Sequence, residues 1–356
     1  MKYFEGIKIN GIFYSEQTLQ ERIMHMLSSS QTEEWEIELY RFLKEWLSPE
    51  PYLYAQTSGS TGTPKKIRLD RSRMWASAGL TNRYFGLNEN CTALLCLSAG
   101  YIAGKMMLVR AMQAGFDIYP IKPVSLPVFE TSVVFDFAAM VPMQLQKICE
   151  QPQGKRWLDN HVRCLIIGGG ALSPELEAET QRLSVRCYAT YGMTETVSHI
   201  ALRAVNGWEK NPAYEAVPGV RFSTDLRDCL VIHAPHLCQE PLVTNDVVRL
   251  ETETRFVWKG RFDHVINSGG IKLFPETIEQ KLSGLIRERF FIAGLPDTLL
   301  GQKSILVIES ESWTSEQIAL LREKMQRVLG KYEMPREIIF LPRFTETATG
   351  KVIRRL

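Results

Sequence analysis

Three short apolar runs constrain this chain more than any other feature: Ala93-Leu94-Leu95-Cys96-Leu97, Val133-Val134-Phe135 and Cys164-Leu165-Ile166-Ile167. Each reads as a short strand, and stretches with helical spacing accompany them. Leu19, Ile23, Met26 and Leu27, then Trp35, Leu39, Phe42, Leu43 and Trp46, predict two amphipathic helices between Ser15 and Leu47, broken at Ser28-Ser29-Ser30. A further helix is expected over Ser72–Phe85. Strand-like runs alternating with helices imply an α/β sheet. With 356 residues and a 45% hydrophobic composition, the chain can fill more than one domain.

From about Val217 the texture changes to shorter strands and tight turns, as in Cys229-Leu230-Val231-Ile232 and Asp246-Val247-Val248-Arg249-Leu250. This predicts a β-rich subdomain closing the large domain. After Gly260-Arg261-Phe262-Asp263 the order becomes strand, helix (Pro275–Leu282), strand (Phe290–Ala293), strand (Ser304–Glu309), helix (Ser315–Leu329), strand (Ile338–Phe340) and a basic tail. A boundary there divides the chain into 1–262 and a compact α+β unit, 263–356.

The bulk numbers exclude several classes. Lys+Arg 42 against Asp+Glu 40 leaves a charge of +2, so no global field recruits nucleic acid or an anionic membrane. The seven cysteines are odd in number, scattered and without a CxxC pair, which argues against a disulfide framework and a zinc knuckle. No apolar run has the length of a signal peptide or a membrane span, so a cytoplasmic protein without stable membrane insertion is expected. His233, His236 and Cys238 form H-x-x-H-x-C, but Pro235 interrupts it and no fourth ligand is near, so it reads as a coincidence at a strand end.

The sharpest local feature is Thr57-Ser58-Gly59-Ser60-Thr61-Gly62-Thr63-Pro64-Lys65-Lys66. Hydroxyls, glycines and a lysine pair can aim donors at phosphate oxygens. The same composition also suits a polar surface turn. A Walker A loop is disfavoured, because Pro64 stands where the G-x-x-x-x-G-K-[ST] spacing needs glycine.

The loop resembles the YTSGSTGxPKG phosphate loop of the adenylate-forming superfamily, which includes acyl-CoA synthetases, carrier-protein adenylation domains and luciferases. Further stretches follow in the family's order. Ile167-Gly168-Gly169-Gly170-Ala171-Leu172 is similar to its hydrophobic-GGA stretch, Tyr191-Gly192-Met193-Thr194-Glu195-Thr196 to YGxTE, and Val243-Thr244-Asn245-Asp246 to TGD. Gly260 to Glu279 resembles the GRxDxxIxxxGxxIxPxEIE hinge, and Thr349-Gly350-Lys351-Val352-Ile353-Arg354 the C-terminal GKxxR motif.

The resemblance implies a large N-terminal α/β domain and a small, mobile C-terminal domain, with ATP, Mg²⁺ and CoA serving a carboxylic acid substrate. Thr57, Ser58, Gly59, Ser60, Thr61, Gly62 and Lys65 would enclose the β- and γ-phosphates. Gly169, Gly170, Ala171, Tyr191, Gly192 and Met193 would flank adenine, Thr194 the α-phosphate, and Glu195 would bind Mg²⁺, a hard cation that wants oxygen. Asp246 would accept from the ribose hydroxyls, with Arg261 adding a ribose or phosphate contact. Lys351 would be catalytic, its ammonium bridging the substrate carboxylate and the α-phosphate. Asp263 corresponds to the pivot of a rotation between half-reactions, and Gly269 and Gly270 to the approach of the pantetheine arm.

For the acid, Met140 to Lys147 resembles the VPTQLxR stretch of o-succinylbenzoate–CoA ligases of menaquinone synthesis. Such a substrate brings a second carboxylate that needs a cation when buried. Lys105, Arg110 and Lys147 are available, with Tyr101 and His199 near the same stretches. The alternatives are another small aryl or acyl acid, a stand-alone enzyme loading a carrier protein, and a non-catalytic nucleotide-binding relative. Only 56 residues precede the loop, far fewer than in most relatives. Part of the substrate wall would then come from a second subunit, in a homodimer, or be absent. Lys66 and Asn245 stand where glycines are usual, and the histidine of FHxxG is lacking in Ser98 to Lys105.

Overall fold

The computed structural model describes residues 4–56, 66–238, 240–346 and 352–354. A hairpin of β1 (Ile7–Ile9) and β2 (Ile12–Tyr14) precedes helices α1 (Glu16–Ser28) and α2 (Glu34–Trp46). The two helices fall where the apolar spacing puts them, and they bury Leu19, Ile23 and Met26 and then Leu39, Phe42, Leu43 and Trp46. Ser15 caps α1 by accepting from the Thr18 amide at 3.3 Å. Strands β3 (Tyr52–Gln56) and β4 (Lys66–Asp70) pair antiparallel, so the hydroxyl-rich loop joins the two arms of one ribbon. Helix α3 (Arg71–Phe85) follows directly.

The centre of the molecule is wound from β5 (Thr92–Leu95), α4 (Ile102–Ala114), β6 (Asp117–Pro120), β7 (Phe137–Met140), α5 (Pro142–Cys149), α6 (Pro152–His161), β8 (Cys164–Ile167), α7 (Pro174–Thr180) and β9 (Arg186–Gly192). The antiparallel strands β10 (His199–Ala204), β11 (Tyr214–Ala216), β12 (Arg221–Thr224), β13 (Cys229–His233), β14 (Leu242–Thr252) and β15 (Arg255–Arg261) come next. One sheet of thirteen strands takes them all, in the order β12-β13-β14-β15-β11-β10-β9-β8-β7-β5-β6-β1-β2. Its six central strands, β9, β8, β7, β5, β6 and β1, are parallel. Both faces of these strands are covered, which is why β7 and β8 read as unbroken apolar runs. Leu165 and Ile167 of β8 face one core, Cys164 and Ile166 the other.

One sequence expectation is corrected in detail. The run Val133-Val134-Phe135 is not a strand: only Phe135 makes a bridge, to Val162, and the ladder with β5 runs through Phe137–Met140. Asp136 sets that register, its amide donating to Thr92 O at 2.9 Å and its carboxylate accepting from the Thr92 amide. The β-rich segment expected after Val217 is present, and its antiparallel strands β12 to β15 extend the large domain's sheet through the β15–β11 pairing.

The remaining elements are β16 (Ile266–Ser268), β17 (Ile271–Leu273), α8 (Pro275–Leu282), β18 (Phe290–Asp297), β19 (Gly301–Glu309), α9 (Ser315–Val328) and β20 (Glu337–Leu341). They form a separate five-stranded sheet, β17-β16-β19-β18 with β20 parallel to β19. Its own core holds Ile266, Ile278, Leu282, Leu306, Ile308, Leu321 and Met325. Gly269 and Gly270 sit at the two central positions of the β16–β17 hairpin with φ of +60° and +82°. A two-residue turn of that kind needs left-handed backbone at both positions. No helix among the described residues is long and apolar enough to cross a membrane.

Candidate active site

The C-terminal end of β9 carries the centre of the site. Tyr191 and Gly192 end the strand and Thr194–Thr196 form a single 3-10 turn. The chain then reverses sharply: the Ser198 amide donates to Thr196 O at 2.7 Å, and Val197 takes φ +68°. A buried β-branched residue rarely adopts that backbone, so the turn is strained and held by its surroundings. Thr196, fully buried, does the holding, with Oγ1 bonded to Met193 and to Ser198 O. Gly192 has to be glycine, because a Cβ there would meet Ser198 O at 2.4 Å. Gly168 likewise leaves room for Thr190 Oγ1, which would lie 2.3 Å from an added Cβ.

Gly169 and Gly170, expected at adenine, lie on the head of α5, 3.5 Å from Val141 and 3.7 Å from Pro142 for an added Cβ. Ala171 beside them is exposed. Gln144 of the same helix bonds the carbonyls of Cys96 and Val124 from a buried position, so it braces the fold.

The surroundings of Asp246, expected at the ribose, are built across the sheet. Tyr191 OH donates to Asp246 Oδ2 at 2.6 Å, Trp258 Nε1 donates to Oδ1 at 3.2 Å, and the Asp246 amide donates to Thr244 Oγ1. Burial, reinforced by the Asp246 charge, pushes the Tyr191 phenol well above its ordinary range. It therefore stays a donor at any physiological pH. Arg261 stands opposite Asp246 in the β14–β15 register and bonds Asp263 Oδ2 at 2.9 Å. Asn245, in the place usual for glycine, donates to both Asp263 oxygens at 3.4 Å and accepts from Arg227 at 3.2 Å. Asp263 is thus held from both sides.

The residues expected at the acid behave differently. Arg110 of α4 is 2% exposed, and its hydrogen bonds run to Ser198 Oγ at 2.8 Å and to the Met107 sulfur. Its Nε finds no partner, and among the described residues it enters no ion pair with a carboxylate. Burial alone pushes its pKa down to about 10. His199 lies beside it, buried and bonded to Thr81 Oγ1 at 3.1 Å. Burial, with the Arg110 charge second, holds its pKa well below the usual histidine value, so the ring is neutral.

The other acyl candidates are not brought to this cluster. Lys105, on the same helix, turns to α2, where it lies 4.0 Å from Glu45 and over the Phe42 ring. Lys147 is exposed and pairs with Glu150 at 2.8 Å. Tyr101, 64% exposed, merely precedes α4. Five or six residues along an α-helix change its face, which is why Lys105 and Arg110 part company. A cavity of about 330 Å³ lined by Trp46, Trp75 and Arg71 lies at the opposite end of α3 from Thr81 and shares no residue with the cluster.

Thr57 to Lys65 and Lys351 lie outside the described residues. Glu195 is exposed at the head of its turn, and among the described residues it enters no ion pair. A lone carboxylate fits Mg²⁺ of the kind that keeps its waters and is shared with phosphates. No group of three His, Cys, Asp or Glu able to hold a metal occurs among the described residues. The sequence did not single out Thr81, Ser198, Trp258 or Arg227. Ser198 and His199 follow the YGMTET stretch directly, and that adjacency was the available signal.

This layout, a large mixed sheet whose strand ends carry aromatic, hydroxyl and carboxylate groups, is that of the adenylate-forming enzymes. A model of the AMP-binding enzyme family matches residues 13–223, and the chain belongs to that family. It is similar to an acyl-CoA synthetase (AMP-forming)/AMP-acid ligase II-like protein from Dyadobacter fermentans, with 34% identity, a TM-score of 0.64 and coverage of 96% of this chain and 97% of that one. It also resembles the o-succinylbenzoate CoA synthetase of Bacillus subtilis bound to its acyl-adenylate intermediate, at 19% identity and TM-score 0.67, over 85% of this chain and 67% of the other. Among curated proteins, 2-succinylbenzoate–CoA ligases of Geobacillus and Bacillus cereus are 24% and 25% identical over 84% and 88% of this chain. The chain spans 66% and 70% of their lengths.

Proposed function

We propose that this chain is an ATP-dependent acid–CoA ligase that forms an acyl-adenylate and then a CoA thioester, with an aryl dicarboxylate of the o-succinylbenzoate type as its acid, releasing AMP and pyrophosphate. The observation that carries the acid assignment is Arg110: a buried guanidinium beside Ser198 and His199, without a carboxylate partner among the described residues. Such a charge is costly to keep unpaired, and a substrate's second carboxylate would neutralise it. The names of the curated relatives point the same way.

In this reading the acid lies between α4 and the Thr194–Ser198 turn, with its distal carboxylate on Arg110. The reacting carboxylate then faces the α-phosphate beside Thr194. Asp246, already oriented by Tyr191 and Trp258, accepts from the ribose, and Arg261 adds a donor. Mg²⁺ held by Glu195 would shield the phosphate charge while pyrophosphate departs. Lys351 supplies the ammonium between the two negative reactants. No general base is needed for the second step, since a thiol attacks an activated mixed anhydride. We read 1–262 and 263–356 as two domains, the smaller one mobile about Asp263. The protein would act in the cytoplasm within menaquinone synthesis.

The test is thioester formation from ATP, Mg²⁺ and CoA across a panel of acids, with pyrophosphate release followed in parallel. Thioester from o-succinylbenzoate with little from monocarboxylates is the expected result. Pyrophosphate release without thioester would point to a carrier-loading enzyme. Lys351→Ala should abolish adenylation while ATP still binds; turnover preserved in that variant would sink the mechanism.

A further inference from the structure

The cavity of about 330 Å³ lies where the end of α2 meets the first turns of α1 and α3. Its wall is mostly apolar: Phe4, Trp46, Leu47, Pro49 and Trp75, with Trp46 and Trp75 stacked at 6.3 Å between ring centroids. The polar residues are Arg71, Ser48, Ser72 and the exposed Glu16. Ligand pockets begin at about 300 Å³ and combine apolar walls with a few polar groups in this way.

Arg71 is the unusual member. It opens α3, its amide donates to Pro51 O at 2.9 Å, and it is 8% exposed. Nη1 donates to Trp46 O at the end of α2. Nothing further holds the guanidinium among the described residues: Nε has no partner, and no carboxylate lies within ion-pair distance. Burial lowers its pKa, and the charge of Glu50 acts in the opposite sense from farther away. Bonding one carbonyl of α2 needs one neutral donor, not a covered charge with five.

A covered charge without a counter-ion is costly, and a bound anion relieves that cost. The flat guanidinium fork matches a carboxylate. One cation with Glu50 and Glu16 in its neighbourhood suits a single negative charge, whereas a phosphate group brings up to about two. Indole rings on the wall suit a flat apolar body.

We propose that this cavity is a second ligand site, taking a small aromatic monocarboxylate whose carboxylate sits on Arg71 and whose ring lies against Trp46 and Trp75. The site is independent of the ligase reading above and shares no residue with the Arg110 cluster.

The probe is 1-naphthoate, titrated by calorimetry without ATP or CoA into the full chain carrying Arg110→Met, so that the other buried cation is gone. Tryptophan fluorescence is followed in parallel. One molecule should bind per chain and quench the emission, with an affinity about tenfold or more above that of neutral 1-naphthamide. Adding Arg71→Met should lower the affinity for naphthoate about tenfold and leave that for naphthamide unchanged, a split that a merely structural arginine would not give. Glu16→Gln should tighten naphthoate binding about twofold; weaker binding there would mean that the ligand donates to Glu16 and would overturn the carboxylate assignment. If Arg71→Met loses its fold by circular dichroism, Trp75→Leu is read in its place, with a several-fold loss expected for both probes. No binding to the full chain, equal affinity for acid and amide, or naphthoate affinity unchanged in the variant that is read overturns the proposal. Failure of the thioester assay would overturn the ligase reading and leave this site standing, and absence of naphthoate binding would do the reverse.

Discussion

The Asp246 corner and the Arg110 corner of the site are built on opposite principles. Around Asp246 the charge is answered: Tyr191 and Trp258 donate to its two oxygens, and its own amide is bonded to Thr244. Around Arg110 no described carboxylate answers the charge, and a hydroxyl, a thioether and a neutral imidazole keep it company. A ligand arriving at the first corner meets preformed geometry. One arriving at the second meets a cation whose burial already works against its charged form, pushing its pKa down to about 10, on the order of 3 kcal/mol. The Asp246 corner is thus organised around satisfied bonds and the Arg110 corner around an unanswered charge.

Replacing Arg110 by methionine breaks the contrast most strongly. We expect kcat/KM for the aryl dicarboxylate to fall by about 100-fold or more, a charged hydrogen-bonding partner being lost from a buried site. The melting temperature should hold or rise, because the buried charge is removed. A drop in melting temperature with selectivity intact would reverse the assignment.

Asp246→Asn sharpens the other side. It keeps the shape but halves the acceptor capacity, and the KM for ATP should rise about tenfold with the acid's KM unchanged. Tyr191→Phe removes one donor to Asp246, and a rise of a few-fold in the same constant is expected, matching about 1 kcal/mol. Isothermal titration with ATP would register both.

Acid stability reports on His199. Its pKa is depressed in the folded state, so below about pH 6.5 the unfolded chain binds a proton that the folded chain refuses. Stability from this group is present above that pH and lost as pH falls, by up to about 1.4 kcal/mol per unit. His199→Gln should flatten this slope in denaturant titrations at pH 5 to 7. The smallest effect belongs to Lys147→Ala, whose exposed pair with Glu150 contributes under about 1 kcal/mol; its turnover should match the parent.

Much of this was legible in the residues. The apolar spacing of α1 and α2 placed those helices, the positions of α3, α8 and α9 were also expected, and the apolar runs of β5 and β8 marked an α/β sheet. The order of short motifs pointed to adenylate chemistry. Helices α4 to α7 were less legible: α4 is buried along most of its length, so it lacks the polar face that gives a helix its period. The cations could not be told apart for a related reason. Lys105, Arg110 and Lys147 look equivalent in a string, but only Arg110 faces the Ser198–His199 turn.

The sequence by itself determined which local structures form and which chemical groups are available, because periodicity, turn chemistry and motif spacing are properties of neighbours along the chain. Tertiary structure decided which groups meet. Tyr191 joins Asp246 across 55 residues, Arg110 reaches Ser198 across 88, and Arg354 reaches Glu279 across 75. Such pairings depend on strand order, on register and on which helix face is buried, and these are settled only when the sheet closes around its core.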